Sequence, residues 1–154
     1  LQLKREVNTL TDTLTIAVAD RNPHIRNFLR KELVAEGYYV LAAKDGKELL
    51  GILNSNKPPD LLILDLDIPH INGLQVLEWL RNHRASLPVV IHTYYTEFMK
   101  HSAVQEADAF LEKTGNNIEY LKSTVNRLLH RSPGNKAKPL SNALRAEFFN
   151  EGRS

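Results

Sequence analysis

The stretch from Leu61 to Leu74 (LLILDLDIPHINGL) constrains the fold of this chain more than any other. Four apolar residues end in Asp65, a second carboxylate follows at Asp67, and Pro69 to Gly73 has the composition of a turn. Leu74, Val76, Leu77, Trp79 and Leu80 then recur at helical spacing. The segment reads as a buried parallel strand, a loop and a helix, with Asp65 at the strand's carboxyl end. Open α/β sheets bind their ligands at that end. Taken alone, Asp65 is either a loop cap or a candidate nucleophile or metal ligand.

The same pattern repeats along the chain. Thr15 to Ala19 is a short β-rich run ending at Asp20, and Asn22-Pro23 opens a helix with Ile25, Phe28, Leu29 and Leu33 on one stripe. Gly37 stops that helix before a second strand at Tyr38 to Ala42. Asp45-Gly46 leads into a helix carrying Leu49, Leu50 and Leu53, which ends before Lys57-Pro58-Pro59-Asp60. After the central segment come a fourth strand (Val89 to His92), a helix between Thr96 and Glu106, a fifth strand (Ala109 to Leu111) and an amphipathic helix. Ile118, Leu121, Val125, Leu128 and Leu129 mark the last. Five strands alternating with five helices imply right-handed crossovers and a parallel sheet covered on both faces. Asp20, Asp65, Thr93 and Lys113 then fall on one rim, and these residue types can hold Mg²⁺ and a phosphoryl group.

Composition narrows the class. A chain of 154 residues suits one domain with tails, and without cysteine it has neither disulfides nor thiolate metal sites. A reducing, cytoplasmic setting is expected, with no membrane span and no signal-peptide core in the sequence. A formal charge of +2 does not argue for nucleic acid as a partner, and the late basic residues are broken by Glu119 and Glu147. The six histidines show no metal-binding spacing.

The motifs VADRN (Asp20), KDG (Lys44 to Gly46), PDLLILDLDIPHINGLQVL (Asp65), PVVIHT (Thr93) and EADAFLEK (Lys113) resemble the receiver domain of two-component response regulators. The resemblance runs from Thr15 to about His130. It implies the flavodoxin-like, doubly wound sheet of order 2-1-3-4-5. It also implies a phosphorelay module rather than an enzyme in the usual sense, with Asp65 as phosphoacceptor. Asp20 and Asp65 would hold Mg²⁺ with the main-chain carbonyl of Asp67, an all-oxygen set suited to a hard cation. Lys113 would pair with a phosphoryl oxygen, Thr93 would donate its hydroxyl to another, and Phe110 would be the aromatic that turns inward as Thr93 shifts. The implied partners are a sensor histidine kinase or phosphotransfer protein and a downstream protein, with a homodimer as a further option.

Four departures from the family pattern bear on the chemistry. Ala19 stands where the first of two adjacent acids is usual, which should weaken Mg²⁺ binding, although the side chain of Asp67 could contribute. Tyr94 follows Thr93 where a small residue is usual, and would roof the site and control access to it. Thr114 replaces a proline whose preceding bond the family tends to hold cis. A non-proline cis bond costs about 2.5–4 kcal/mol, so a trans bond and a displaced Lys113 are expected. Finally, the segment from Thr93 to Glu106 is short, so the fourth helix or the loop before it should be abbreviated.

These departures keep two other readings open. One is a degenerate receiver that binds partners without being phosphorylated. The other is a phosphohydrolase of the haloacid dehalogenase type, suggested by Asp65-x-Asp67. In that family, however, the motif ends the first core strand and a later acidic pair completes the metal site. The sequence divides into an extension (1–13), a receiver domain (14–131) and a linker with a short amphipathic helix (132–154). Leu3, Val7, Leu10 and Leu14 have heptad-like spacing in the first, and Leu140, Ala143, Leu144 and Phe148 form a stripe in the last.

Overall fold

The computed structural model describes residues 13–114 and 117–130, so the expectations for the two terminal segments lie outside the described residues. Strands β1 (Thr15–Ala19), β2 (Tyr39–Ala43), β3 (Leu61–Leu64), β4 (Val89–Thr93) and β5 (Ala109–Glu112) form one parallel sheet in the order 2-1-3-4-5. Between and after them run α1 (Pro23–Ala35), α2 (Gly46–Leu53), α3 (Gly73–His83), α4 (Ser102–Gln105) and α5 (Ile118–Leu129). This is the flavodoxin-like, doubly wound architecture.

Side-chain alternation along the strands builds the two layers. Ile16, Val18, Leu61, Ile63, Val90 and Leu111 pack with Leu29 and Leu33 of α1 and with Leu121, Val125 and Leu128 of α5. Ala17, Ala19, Leu62, Leu64, Ile91 and Phe110 point the other way, toward Leu49, Leu53, Val76, Leu77 and Val104. Each fully buried leucine or isoleucine contributes roughly 1.5–3 kcal/mol, so the strands must be apolar on both faces. Their polar residues are left for the ends.

Local signals fix where the helices start and stop. The Asn22 side chain accepts from the His24 amide with Pro23 in the first turn, and Gly37 ends the connection with a φ of +95°. Asn72 and Gln75 form a reciprocal capping box at the start of α3. Asp45 caps α2 by accepting from the Glu48 amide.

The fourth helix differs from the single element expected between Thr96 and Glu106. A 3-10 turn (Thr96–Lys100) is followed by only one α-helical turn, and His101, in extended conformation, separates them. No side chain caps the 3-10 turn, whereas His101 caps α4 by accepting from the Ala103 amide. The abbreviation expected from the short segment is therefore in the helix itself.

Gly46 ties α2 to the loop that follows β3. Its amide donates to the Pro69 carbonyl at 3.2 Å, and a Cβ placed on it would lie 1.8 Å from the Ile71 carbonyl oxygen. Gly46→Ala should therefore force the loop away and cost at least about 1–3 kcal/mol in urea unfolding. Gly51, inside α2, has nothing within 4 Å of its Cβ position. Gly51→Ala should raise stability by about 0.5–1 kcal/mol in the same measurement.

Candidate functional site

The sheet register brings the rim residues together. Ala19 is paired with Leu64, so Asp20 and Asp65 leave adjacent strands side by side. The Asp65 amide continues the ladder by donating to the Ala19 carbonyl at 2.9 Å. Thr93 pairs with Glu112, and the Lys113 amide donates to the Thr93 carbonyl at 2.9 Å. All four polar residues sit at the carboxyl end of the sheet, as the sequence pattern requires.

The centre of the site is one ammonium between two carboxylates. Lys113 Nζ donates to Asp65 Oδ2 at 2.8 Å and also forms an ion pair with Asp20 Oδ2. Asp20, Asp65 and Thr93 are buried, and the Lys113 side chain is only 4% exposed. Burial works against the charged ammonium, but Asp20 and Asp65 outweigh it and hold the Lys113 pKa above its ordinary value. Asp20 moves the other way for a carboxylate that has a lysine partner. Loss of water raises its pKa more than Lys113 and the Asn22 amide lower it. Its Oδ2 touches the ammonium yet accepts no well-directed hydrogen bond.

The remaining expected residues surround this pair. The Asp67 amide donates to Asp65 Oδ1 at 3.1 Å, which places the Asp67 main chain in the site. Its side chain turns instead to Arg21 at the mouth, at 3.3 Å. The Thr93 hydroxyl accepts from the Tyr95 amide at 3.3 Å, a long contact. Tyr94 is 60% exposed, and its ring lies over Lys113 Nζ with 5.3 Å between the nitrogen and the ring centre. It therefore roofs the site through a cation–π contact. Phe110 is buried, facing inward against the α2–α4 layer. The Lys113–Thr114 bond is trans, and Lys113 nonetheless reaches both carboxylates.

Two arginines and a histidine were not anticipated. Arg21 pairs with Asp67, and Arg26 donates to the Asp20 main-chain carbonyl at 2.7 Å. The readable signal was an arginine directly after Asp20, and another on the first turns of the following helix. His92 precedes Thr93, and its Nδ1 is buried without a partner. Burial first, and then the charge of Lys113, lower its pKa to about 4, so at neutral pH it adds no charge beside the site.

An all-oxygen donor set fits a small hard cation, and Asp20 Oδ2, whose partner is the Lys113 ammonium, is a buried carboxylate oxygen of that kind. Among the described residues no three histidine or carboxylate side chains converge on a metal position.

Comparison with known proteins agrees with this geometry. Residues 16–126 match the model of the response regulator receiver domain. The response regulator MprA of Mycolicibacterium vanbaalenii is 33% identical over 119 residues, which are 76% of this chain and 51% of that protein. The chain thus spans about half the length of the curated relatives it matches. Among solved structures, Thermotoga maritima response regulator TrrA, in complex with Mg²⁺-BeF, is 33% identical with a TM-score of 0.70. That match covers 76% of this chain and all of that one. TrrA has also been solved with the histidine kinase ThkA, where it matches at 33% identity, a TM-score of 0.69 and coverage of 76% and 99%. The chain belongs to the response regulator receiver domain family, which makes it a signalling module of two-component systems. Asp65-x-Asp67 is accordingly a receiver motif and not that of a dehalogenase. Among the described residues, no helix is long and apolar enough to cross a membrane.

Two buried carboxylates for one buried ammonium leave an excess negative charge, and this has a stability consequence. Asp20, with its folded pKa raised above 3.8, binds a proton more tightly when folded. Its contribution is most favourable in acid and is lost as pH rises from 3.8 through the raised folded value. Asp20→Asn should remove that loss and raise the urea midpoint at pH 7 relative to the unmodified protein. Lys113→Met should do the opposite, by about 3–5 kcal/mol, because it leaves two unpaired carboxylates together.

Proposed function

We propose that the chain accepts a phosphoryl group on Asp65 and thereby switches a partner-binding face. The observation that carries this reading is the shared ammonium of Lys113, which holds Asp65 beside Asp20 at the open rim of the sheet. An Asp65 carboxylate oxygen would attack the phosphorus of a phosphohistidine or small phosphodonor. The bond to the leaving group breaks as the acyl phosphate forms, and the leaving group departs with the bonding electron pair. Lys113 would pass from the two carboxylates to a phosphoryl oxygen, as a point charge. Thr93 would donate its hydroxyl hydrogen to a second oxygen, and a shift of the side chain toward it would break the long contact accepted from the Tyr95 amide. Asp20, Asp65 and the Asp67 carbonyl would hold Mg²⁺, whose charge offsets that of the phosphoryl oxygens. With Ala19 in place of one acid, that ion would bind weakly.

The TrrA structures support both the ion and the partner class. TrrA is in complex with Mg²⁺-BeF in one and with a histidine kinase in the other. A histidine kinase or phosphotransfer protein is therefore the proposed donor for this chain. The proposed switch passes from Thr93 to the buried Phe110 on β5, whose neighbour in register is Ile91 of β4. A cytoplasmic location, a downstream protein partner and the division at residues 14–131 belong to the same proposal. The Tyr94 ring above Lys113 favours a second reading, a receiver that binds partners without phosphorylation, because it covers the group on which the chemistry depends.

Acetyl phosphate or phosphoramidate with Mg²⁺ separates the two readings. Intact mass should rise by one phosphoryl group, with the increase absent in Asp65→Asn and strongly reduced in Lys113→Ala. No increase in the unmodified protein would leave the phosphorylation-independent module as the better reading.

Tyr94 also bears on how long the acyl phosphate lasts. Hydrolysis needs a water in line with the scissile bond, and the ring occupies the approach above Lys113. Asp67 could orient such a water, but a water that is kept out cannot be oriented. Tyr94→Ala should therefore shorten the phosphoryl lifetime several-fold by mass spectrometry, and Asp67→Ala should change it less. An unchanged lifetime in Tyr94→Ala would mean that the ring does not guard that path.

A further inference from the structure

Arg21 has no part in the phosphotransfer chemistry assigned to Asp65, although it follows Asp20 directly and reaches the far side of the mouth. Its Nη1 lies 3.3 Å from Asp67 Oδ2, and the two side chains are 59% and 43% exposed. A single, long and solvated ion pair of this kind contributes little, so the guanidinium is easily released. Both ends of its span lie beside Asp65. Its main chain adjoins Asp20, which shares the Lys113 ammonium with Asp65, and its tip rests on Asp67, whose amide donates to Asp65 Oδ1.

The charges around Asp65 point the same way. Three carboxylates (Asp20, Asp65, Asp67) face the cations Lys113, Arg21 and Arg26. Lys113 is buried and already divided between two of the carboxylates, and Arg26 is held on the Asp20 main-chain carbonyl at 2.7 Å. Arg21 is thus the cation with only a long, solvated partner. Conversion of the Asp65 carboxylate into an acyl phosphate dianion replaces one negative charge with two, so the cluster gains one more. Ala19 removes one acid that would strengthen the hold on a divalent cation, and Arg21 places a fixed cation on the same loop. A guanidinium presents a planar pair of donors that matches two oxygens of a phosphoryl group.

We propose that Arg21 is a phosphoryl-binding residue, which leaves Asp67 for the oxygens of a phosphoryl group at Asp65. Asp67 is then the resting partner that competes for it. This inference rests on the reading of Asp65 as phosphoacceptor. Its ligand class is a tetrahedral oxyanion or fluoride mimic held at Asp65.

Beryllium fluoride with excess Mg²⁺, titrated into the full chain and followed by amide NMR, tests it. Arg21→Gln should weaken binding about tenfold or more, the loss expected for a hydrogen bond to a charged group. Arg21→Lys should fall between. Asp67→Asn should tighten binding, and should do so more with Arg21 present than in the Arg21→Gln background. If the pair only braced the two loops, both single substitutions would weaken binding, and that result overturns the proposal. Arg21→Gln that binds as well as the unmodified protein overturns it too. Binding lost in Asp65→Asn but indifferent to Arg21 leaves the phosphoacceptor reading standing and removes this one alone. No binding by the unmodified protein removes both.

Discussion

One ammonium shared by two buried carboxylates is the interaction around which this molecule is arranged. Lys113 can reach Asp65 and Asp20 only because three strands end at the same level. β1 and β3 are paired from Ile16 and Leu61 to Ala19 and Leu64, and β4 and β5 from Val90 and Ala109 to Thr93 and Glu112. A slip of one residue in either pairing would turn the acid or the lysine to the other face of the sheet. The continuous burial of the strands enforces that register. The fold's hydrophobic energetics and the position of the site are thus one constraint.

The site works against the stability of the fold that carries it. Asp20 is desolvated more strongly than its partners compensate, and His92 is kept neutral near Lys113 with a buried nitrogen that has no partner. Neither arrangement would survive optimisation for stability alone. Polar groups of this kind, gathered at one rim of a body whose strands are otherwise apolar, are what the proposed phosphoacceptor site requires.

Much of this was legible in the chain. The parallel sheet and both helical layers follow from five apolar runs of β length alternating with helical stripes, and the strand order from the resemblance to receivers. The rim residues follow because each strand ends in a polar side chain. The resemblance to receivers then gave those residues roles, and family membership agrees with it. Other features depend on geometry that spacing does not carry. That Lys113 reaches both carboxylates after a trans bond to Thr114 depends on the path of its side chain, which no sequence pattern shows. The Arg21–Asp67 pair joins loops 46 residues apart. The expected fourth helix became a 3-10 turn and one α-helical turn, because His101 adopts extended backbone and caps the second of them.

The short segment after β4 links the site to the surface more directly than a longer helix would. Three consecutive residues do different things there. Thr93 is buried in the site, Tyr94 covers Lys113, and the Tyr95 amide holds the Thr93 hydroxyl while its ring meets Phe98 edge-on at 6.3 Å. If a shift of Thr93 toward a phosphoryl oxygen breaks its long contact with the Tyr95 amide, that amide loses its partner, and an exposed aromatic at the edge of the site is freed to move. Nothing between Thr93 and Phe98 is long enough to absorb that change within a helix, since only a 3-10 turn follows. The proposed chemistry at Asp65 would therefore be read out first on the Tyr94–Phe98 surface, before any rearrangement of β5 around Phe110.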